Sequence, residues 1–247
     1  MENQSFNIGS VILIDKVDAN FEFFDTVFQG INVKTKNFKE TANLLLYNRL
    51  AKSSSINRIT DLYPKELFEQ LGFKGEPKTR TIYRNLVRIG SNYQFILKNY
   101  QKLIKKHNLV SEKQFPDFSS TYFQGKKSEL SKLGYSRDHR PDKEQIVFGI
   151  STGMNNIPSA LTIQKGNVQD KKHFKFMIKT VKRILDKDSI LIFDCGGNTK
   201  ENKEKIKRLE FNYLTLMPKK RKTYKKYIEL FKQSEAPNRC RASGHLN

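Results

Sequence analysis

Tryptophan is absent from the 247 residues, cysteine occurs twice, and acids fall far short of bases, with 25 Asp and Glu against 46 Lys and Arg. Each shortage removes a class of protein. Cys195 and Cys240 lie far apart and form no CxxC pair, which argues against a zinc site or a disulfide framework and suits a reducing compartment. No apolar run is long enough to span a bilayer, so no membrane partner is expected. The N-terminus shows no basic segment followed by an apolar stretch and a small-residue cleavage site. The expected location is therefore cytoplasmic. The acid deficit leaves a formal net charge of +21 and a pI of about 9.8. Such a balance favours a polyanionic partner, because every neutralised phosphate releases condensed counterions. A basic protein of ribosomal or other kind is the alternative that charge leaves open.

The chain is long enough for one large or two ordinary domains. Residues 1–110 read as a helical region. Leucines cluster at helical spacing over 38–50, and Pro64 opens a short helix after Asp61. Gly72 and Gly75-Glu76-Pro77 break that helix. Another follows from Thr79, the expected N-cap, and a last one spans 93–107 with Phe95, Ile96, Tyr100, Leu103 and Ile104 as its apolar stripe. Arg80, Arg84 and Arg88 fall four residues apart and share one helix face. They are candidates for contact with a duplex backbone, or a solvated face.

After residue 110 the hydrophobic period changes. Strands are expected over 115–123, 145–151, 159–164, 189–193 and 212–217. Asn155-Asn156-Ile157-Pro158 supplies a hairpin turn between the second and third. Helices are expected over 170–186 and 200–209. No fixed-period repeat is present. The order strand, strand, strand, helix, strand, helix, strand is that of an RNase H-like α/β mixed sheet, three antiparallel strands followed by parallel strands reached through helices. The first and fourth strands are then neighbours. Asp117 lies on the first and Asp194 at the end of the fourth, so residues about eighty apart in sequence are expected to meet.

A carboxylate pair of this kind suits two-metal phosphoryl transfer, in which one cation activates the attacking oxygen and the other stabilises the leaving one. Mg²⁺ takes oxygen ligands and keeps its waters. The bland alternative is that both aspartates are ordinary strand-end turn residues.

The string Gly134-Tyr135-Ser136-Arg137-Asp138-His139-Arg140-Pro141-Asp142-Lys143-Glu144-Gln145 runs into the second strand. Together with Asp117 before Phe118-Ser119-Ser120-Thr121-Tyr122-Phe123, Lys165-Gly166-Asn167 before a helix, and Phe193-Asp194-Cys195-Gly196-Gly197, it resembles the DDE transposases of bacterial and archaeal insertion sequences, of the insertion-sequence-four type. The resemblance covers about residues 117–217, and more loosely the helical region. It implies an RNase H-like catalytic core over 111–217 behind a DNA-binding helical region, with strand cleavage and strand transfer dependent on Mg²⁺ or Mn²⁺. It also implies Asp117 and Asp194 as catalytic metal ligands. The implied partners are double-stranded DNA, namely transposon terminal inverted repeats and target DNA, and a second copy in a homodimer. The location becomes nucleoid-associated.

Three departures stand out. Pro116 precedes the first aspartate in what should be a central strand, where a residue without an N–H is unusual. Cys195 occupies a position where the family usually carries Arg. No Tyr-x-x-Arg-x-x-x-Glu-x6-Lys string follows, although that is where the family keeps its catalytic Glu; Glu229 comes nearest. Residues 218–247 are expected to be a basic tail, disordered or truncated, of a longer protein. Lys219, Lys220 and Arg221 in this tail are candidates for gripping phosphates. Arg137, His139 and Arg140 are candidates for DNA contact or for ordering the loop after the first strand. The alternative function is a catalytically inactive DNA-binding fragment. A general RNase H-like nuclease is disfavoured by the string at 134–145.

Overall fold

In the computed structural model the described residues are 6–31, 37–125, 128–135, 139–216, 225 and 227–230. They divide into two compact units, Met1–Val110 and Ser111–Asn247.

The first unit is helical: α1 (Ile8–Phe21), α2 (Phe23–Val27), α3 (Phe38–Ala51), α4 (Ile59–Leu62), α5 (Lys65–Gln70), α6 (Thr79–Ser91) and α7 (Tyr93–Lys106). Asn7 caps α1 by accepting the Ser10 N–H, and Glu22, at φ 48°, breaks α1 from α2. The face of α3 that carries Thr41, Leu44, Tyr47 and Asn48 is buried. It packs into a cluster with Ile59, Tyr63, Leu67, Phe68 and Ile82. Burying one such side chain contributes about 1.5–3 kcal/mol. Polar atoms in this core are paired, as burial requires. The Tyr47 hydroxyl accepts the Asn7 N–H at 2.9 Å, and the Tyr63 hydroxyl donates to Asn48 Oδ1 at 2.9 Å. The expected cap at Thr79 is displaced by one residue. Lys78, in extended conformation, takes the N-cap position without a side-chain hydrogen bond, and its carbonyl accepts the Thr81 N–H at 2.7 Å.

The second unit holds β1 (Lys113–Tyr122), β2 (Gln145–Gly153), β3 (Pro158–Lys165), α8 (Asp170–Val181), β4 (Ile190–Phe193), α9 (Lys200–Arg208) and β5 (Asn212–Thr215). The sheet order is β3-β2-β1-β4-β5. β1–β2 and β2–β3 are antiparallel; β1–β4 and β4–β5 are parallel. This is the RNase H-like arrangement expected from the strand order, with β1 at the centre. Alternation explains it: along β1, Gln114, Pro116, Phe118 and Ser120 are buried while the residues between them are more exposed. Phe118 meets His173 and Phe174 of α8 at ring distances of 4.7 and 6.0 Å, and Phe174 meets Phe193 of β4 at 4.4 Å. Asn156, at φ 60°, turns the chain between β2 and β3. The helix expected over 170–186 is shorter, because after Val181 the bonding shifts to i→i+3 turns through Ile184.

Candidate active site

The sheet changes character at β1. Toward β2 its ladder runs unbroken from Gln114 to Tyr122. Toward β4 it is registered only at Lys113↔Ile190 and Gln114↔Leu191. Two residues on stands Pro116, buried and without an N–H to donate. The ladder stops short of it, and a crevice opens between the carboxyl ends of two parallel strands. In open α/β sheets this is where ligands bind. The oddity of proline in a central strand thus has a physical outcome.

Asp117 and Asp194 flank this crevice. Both are exposed. Continuing the β1–β4 register by three residues brings Asp117 level with Asp194. Each carboxylate is oriented by one backbone N–H. Asp117 Oδ1 accepts from Phe118 N at 2.7 Å, and Asp194 Oδ1 from Gly196 N at 2.9 Å. The second bond makes Asp194 the cap of a 3₁₀ turn, Cys195–Gly197. Behind it, Thr215 Oγ1 on β5 donates to the Asp194 carbonyl at 3.0 Å. The Leu216 carbonyl receives Asn198 Nδ2 at 2.7 Å and the Cys195 thiol at 3.5 Å. β5 therefore fixes the backbone that carries Asp194.

Sequence reasoning missed a third carboxylate beside this pair. Asp170 opens α8, where the partial positive charge of the helix N-terminus favours an anion. A Cβ built on Gly196 would lie 3.1 Å from Asp170 Oδ2 and 3.1 Å from Asp194 Oδ1, so both carboxylates flank one point. The signal was an acidic residue in a first helical turn, which by itself is commonplace. Among the described residues no group of three or more His, Cys, Asp or Glu converges closely enough to hold a metal ion. Mg²⁺ is ordinarily held through one or two carboxylates and keeps several waters. Asp117 and Asp194, with their Oδ2 atoms not engaged by any hydrogen bond among the described residues, offer donors of that kind.

The remaining candidates separate. Arg80 and Arg84 are exposed and Arg88 is half-buried on one face of α6, opposite the buried Ile82 and Asn85. None of the three forms an ion pair among the described residues. His139 is exposed, with φ 54°. Arg140 is engaged: Nε and one terminal nitrogen each lie 3.0 Å from Asp142, and the guanidinium sits 5.6 Å over the Tyr122 ring. Its hydrogen bond holds the Asp142 carboxyl below the usual carboxylate range. Arg137, Lys219, Lys220 and Arg221 lie outside the described residues.

No protein-family model matches the chain, and no curated protein does. Two solved structures are similar at low identity. One is a cryo-EM structure of the piggyBac transposase synaptic complex with hairpin DNA, with a TM-score of 0.39 and 13% identity, covering 90% of this chain and 45% of that one. The other is the Mos1 transposase paired-end complex with left transposon end, with a TM-score of 0.31 and 12% identity, covering 81% of this chain and 67% of that one. This chain thus spans less than half the length of the piggyBac chain. Strand order and register, rather than these likenesses, carry the fold.

Proposed function

We propose that the chain is a DNA transposase of the insertion-sequence-four type, which binds the ends of a mobile element and cuts and rejoins strands with Mg²⁺ or Mn²⁺ held by Asp117 and Asp194. The observation that carries this reading is the β1–β4 register, which continues to bring the two exposed carboxylates level on a chain of net charge +21. When bound, the metal would activate the attacking oxygen and stabilise the leaving one.

The chain's own part is to hold and orient. The N–H groups of Phe118 and Gly196 each fix one carboxylate oxygen, and the Thr215 hydroxyl fixes the Asp194 backbone. Such preorganisation removes the cost of arranging ligands during reaction. Arg80, Arg84 and Arg88 supply cationic contacts for duplex phosphates, which position without reading sequence. Water attack at a transposon end breaks a P–O bond and frees a 3′ hydroxyl, and this hydroxyl attacks target DNA. The partners are terminal inverted repeats and target duplex, handled by a homodimer.

The test is strand cleavage of duplexes that carry the DNA flanking the coding region, with Mg²⁺ and with EDTA. Cleavage lost in EDTA, in Asp117→Asn and in Asp194→Asn is the expected result. Cleavage that survives both substitutions sinks the assignment. Binding without cleavage by the unaltered protein turns the reading into a non-catalytic DNA-binding protein.

A further inference from the structure

A cavity of about 240 Å³ lies on the α8 face of the sheet, at the end of β1 and the start of β2. Its lining includes Ser120, Tyr135, Gln145, Val147, Asn167 and Asp170. The volume equals that of about eight liquid waters, too much for a single bridging solvent molecule. The cavity is built around a pinned crossing of backbone. Lys132 and Gln145 exchange two hydrogen bonds of 3.1 and 3.0 Å, and Gly166 N donates to Leu130 O at 3.0 Å. Gln145 Nε2 donates to the carbonyls of Tyr135 at 2.7 Å and Gly166 at 3.0 Å. Those two carbonyls fix which end of the amide is nitrogen.

Two polar atoms here have no partner. Gln145 is 1% exposed and Ser120 is 6% exposed, yet Gln145 Oε1 and Ser120 Oγ accept or donate nothing. Buried polar groups left unpaired cost about 1–3 kcal/mol each, so two beside one cavity point to an occupant that satisfies them. The lining chemistry is mostly acceptor: an amide oxygen, a hydroxyl and the Asp170 carboxylate. On so basic a chain, that selects against a phosphate and for a neutral group rich in donors. At the rim Tyr135 is 86% exposed and offers a bare ring face.

We propose that this cavity takes one unpaired base of a DNA strand, stacked on Tyr135 and hydrogen-bonded through its amino edge to Gln145 and Ser120. The proposal rests on the DNA-binding reading above and adds a readout of the base to it. Unpaired bases are held elsewhere by this combination of an aromatic face and polar contacts to the base edge. Asp170 lines the cavity and also flanks Gly196 beside Asp194, so the base and the carboxylate crevice share one wall.

The experiment compares end-labelled single strands of equal length, one of deoxyadenosine, one of thymidine and one of abasic sugar, by fluorescence anisotropy. Equal charge removes the backbone contribution. The deoxyadenosine strand binds tightest, the abasic strand weakest. Tyr135→Ala weakens the deoxyadenosine strand roughly five- to hundredfold and leaves the abasic strand unchanged. Ser120→Ala narrows the preference for deoxyadenosine over thymidine by about fivefold. The proposal is overturned if the abasic strand binds as tightly as the others, or if Tyr135→Ala weakens all three alike. Free adenosine that binds as tightly as the strand overturns it in favour of a nucleoside site. Failure of every strand to bind would remove the DNA reading as well, whereas strand binding without base preference removes the cavity assignment alone.

Discussion

Gly166 offers the sharpest test of how the second unit is put together. A Cβ at this position would lie 1.9 Å from the Gln145 carbonyl oxygen, 2.5 Å from that of Lys132 and 2.7 Å from the Gln145 carbonyl carbon. All three are backbone atoms, so no side chain can swing aside. Real Cβ contacts essentially never fall below 3.0 Å, so Gly166→Ala must part the segments by about an ångström. Overpacking of this kind costs about 1–3 kcal/mol. The displacement also strains the two Lys132–Gln145 hydrogen bonds, each worth about 0.5–1.5 kcal/mol. The expected loss is therefore about 2–6 kcal/mol, a large share of the roughly 5–15 kcal/mol that holds a domain. Urea unfolding followed by hydrogen exchange and mass spectrometry should show β1–β3 peptides unfolding about 1–3 M earlier, with peptides of α3 and α6 unchanged. Gly90→Ala is the control: nothing lies within 4 Å of its Cβ, and α6 should gain up to about 1 kcal/mol. A loss below about 0.5 kcal/mol for Gly166→Ala would refute the claim that this backbone crossing is rigid.

Three other outcomes follow from the same geometry. Asp194→Asn keeps an acceptor for the Gly196 N–H and should leave thermal stability unchanged, whereas Asp194→Ala removes the cap and should cost about 0.5–2 kcal/mol by calorimetry. Both should abolish cleavage. Removing Arg80, Arg84 and Arg88 together should lower the slope of log affinity for duplex against log salt by about 0.9 for each phosphate no longer neutralised, with no change in sequence preference. Burial raises the pKa of Tyr47 and Tyr63 above the ordinary 10.0, with the charge of Tyr47 adding to the effect on Tyr63. A raised folded-state pKa means that this stability is complete below pH 10 and is lost as pH climbs through the raised values. Spectrophotometric titration should therefore find exposed tyrosines ionising first, and these two only as the helical unit unfolds.

The second unit was the more legible half. Its strands alternate strictly enough for order alone to imply neighbouring β1 and β4, and the pair Asp117 and Asp194 came with that order. α1 was not legible: Ile8, Ile12, Leu13 and Val17 are exposed while only Val11 and Ile14 are buried, so its apolar residues trace no single face. Asp170 escaped notice because its meeting with Asp194 depends on the close approach of Gly196 to the start of α8, which no local pattern encodes. Gly134 and Gly166 stood out in sequence as parts of motifs. Their close contacts, with Gly134 Cβ falling 2.1 Å from the Gly166 carbonyl oxygen, give them a packing reason to be glycine.

Pro116 has a further consequence. Beyond it β1 runs on to Tyr122 with β2 on one side only, because β4 ends at Phe193. The centre of the sheet thus contains an edge, and an open edge is a template for strand addition by another chain. The carboxylates of Asp117 and Asp194 stand at that edge and act as charged gatekeepers against such pairing. Exchanging both for asparagine removes the guard along with the ligands. Inactivity of the double variant therefore counts only when it is measured on material shown to be free of aggregates.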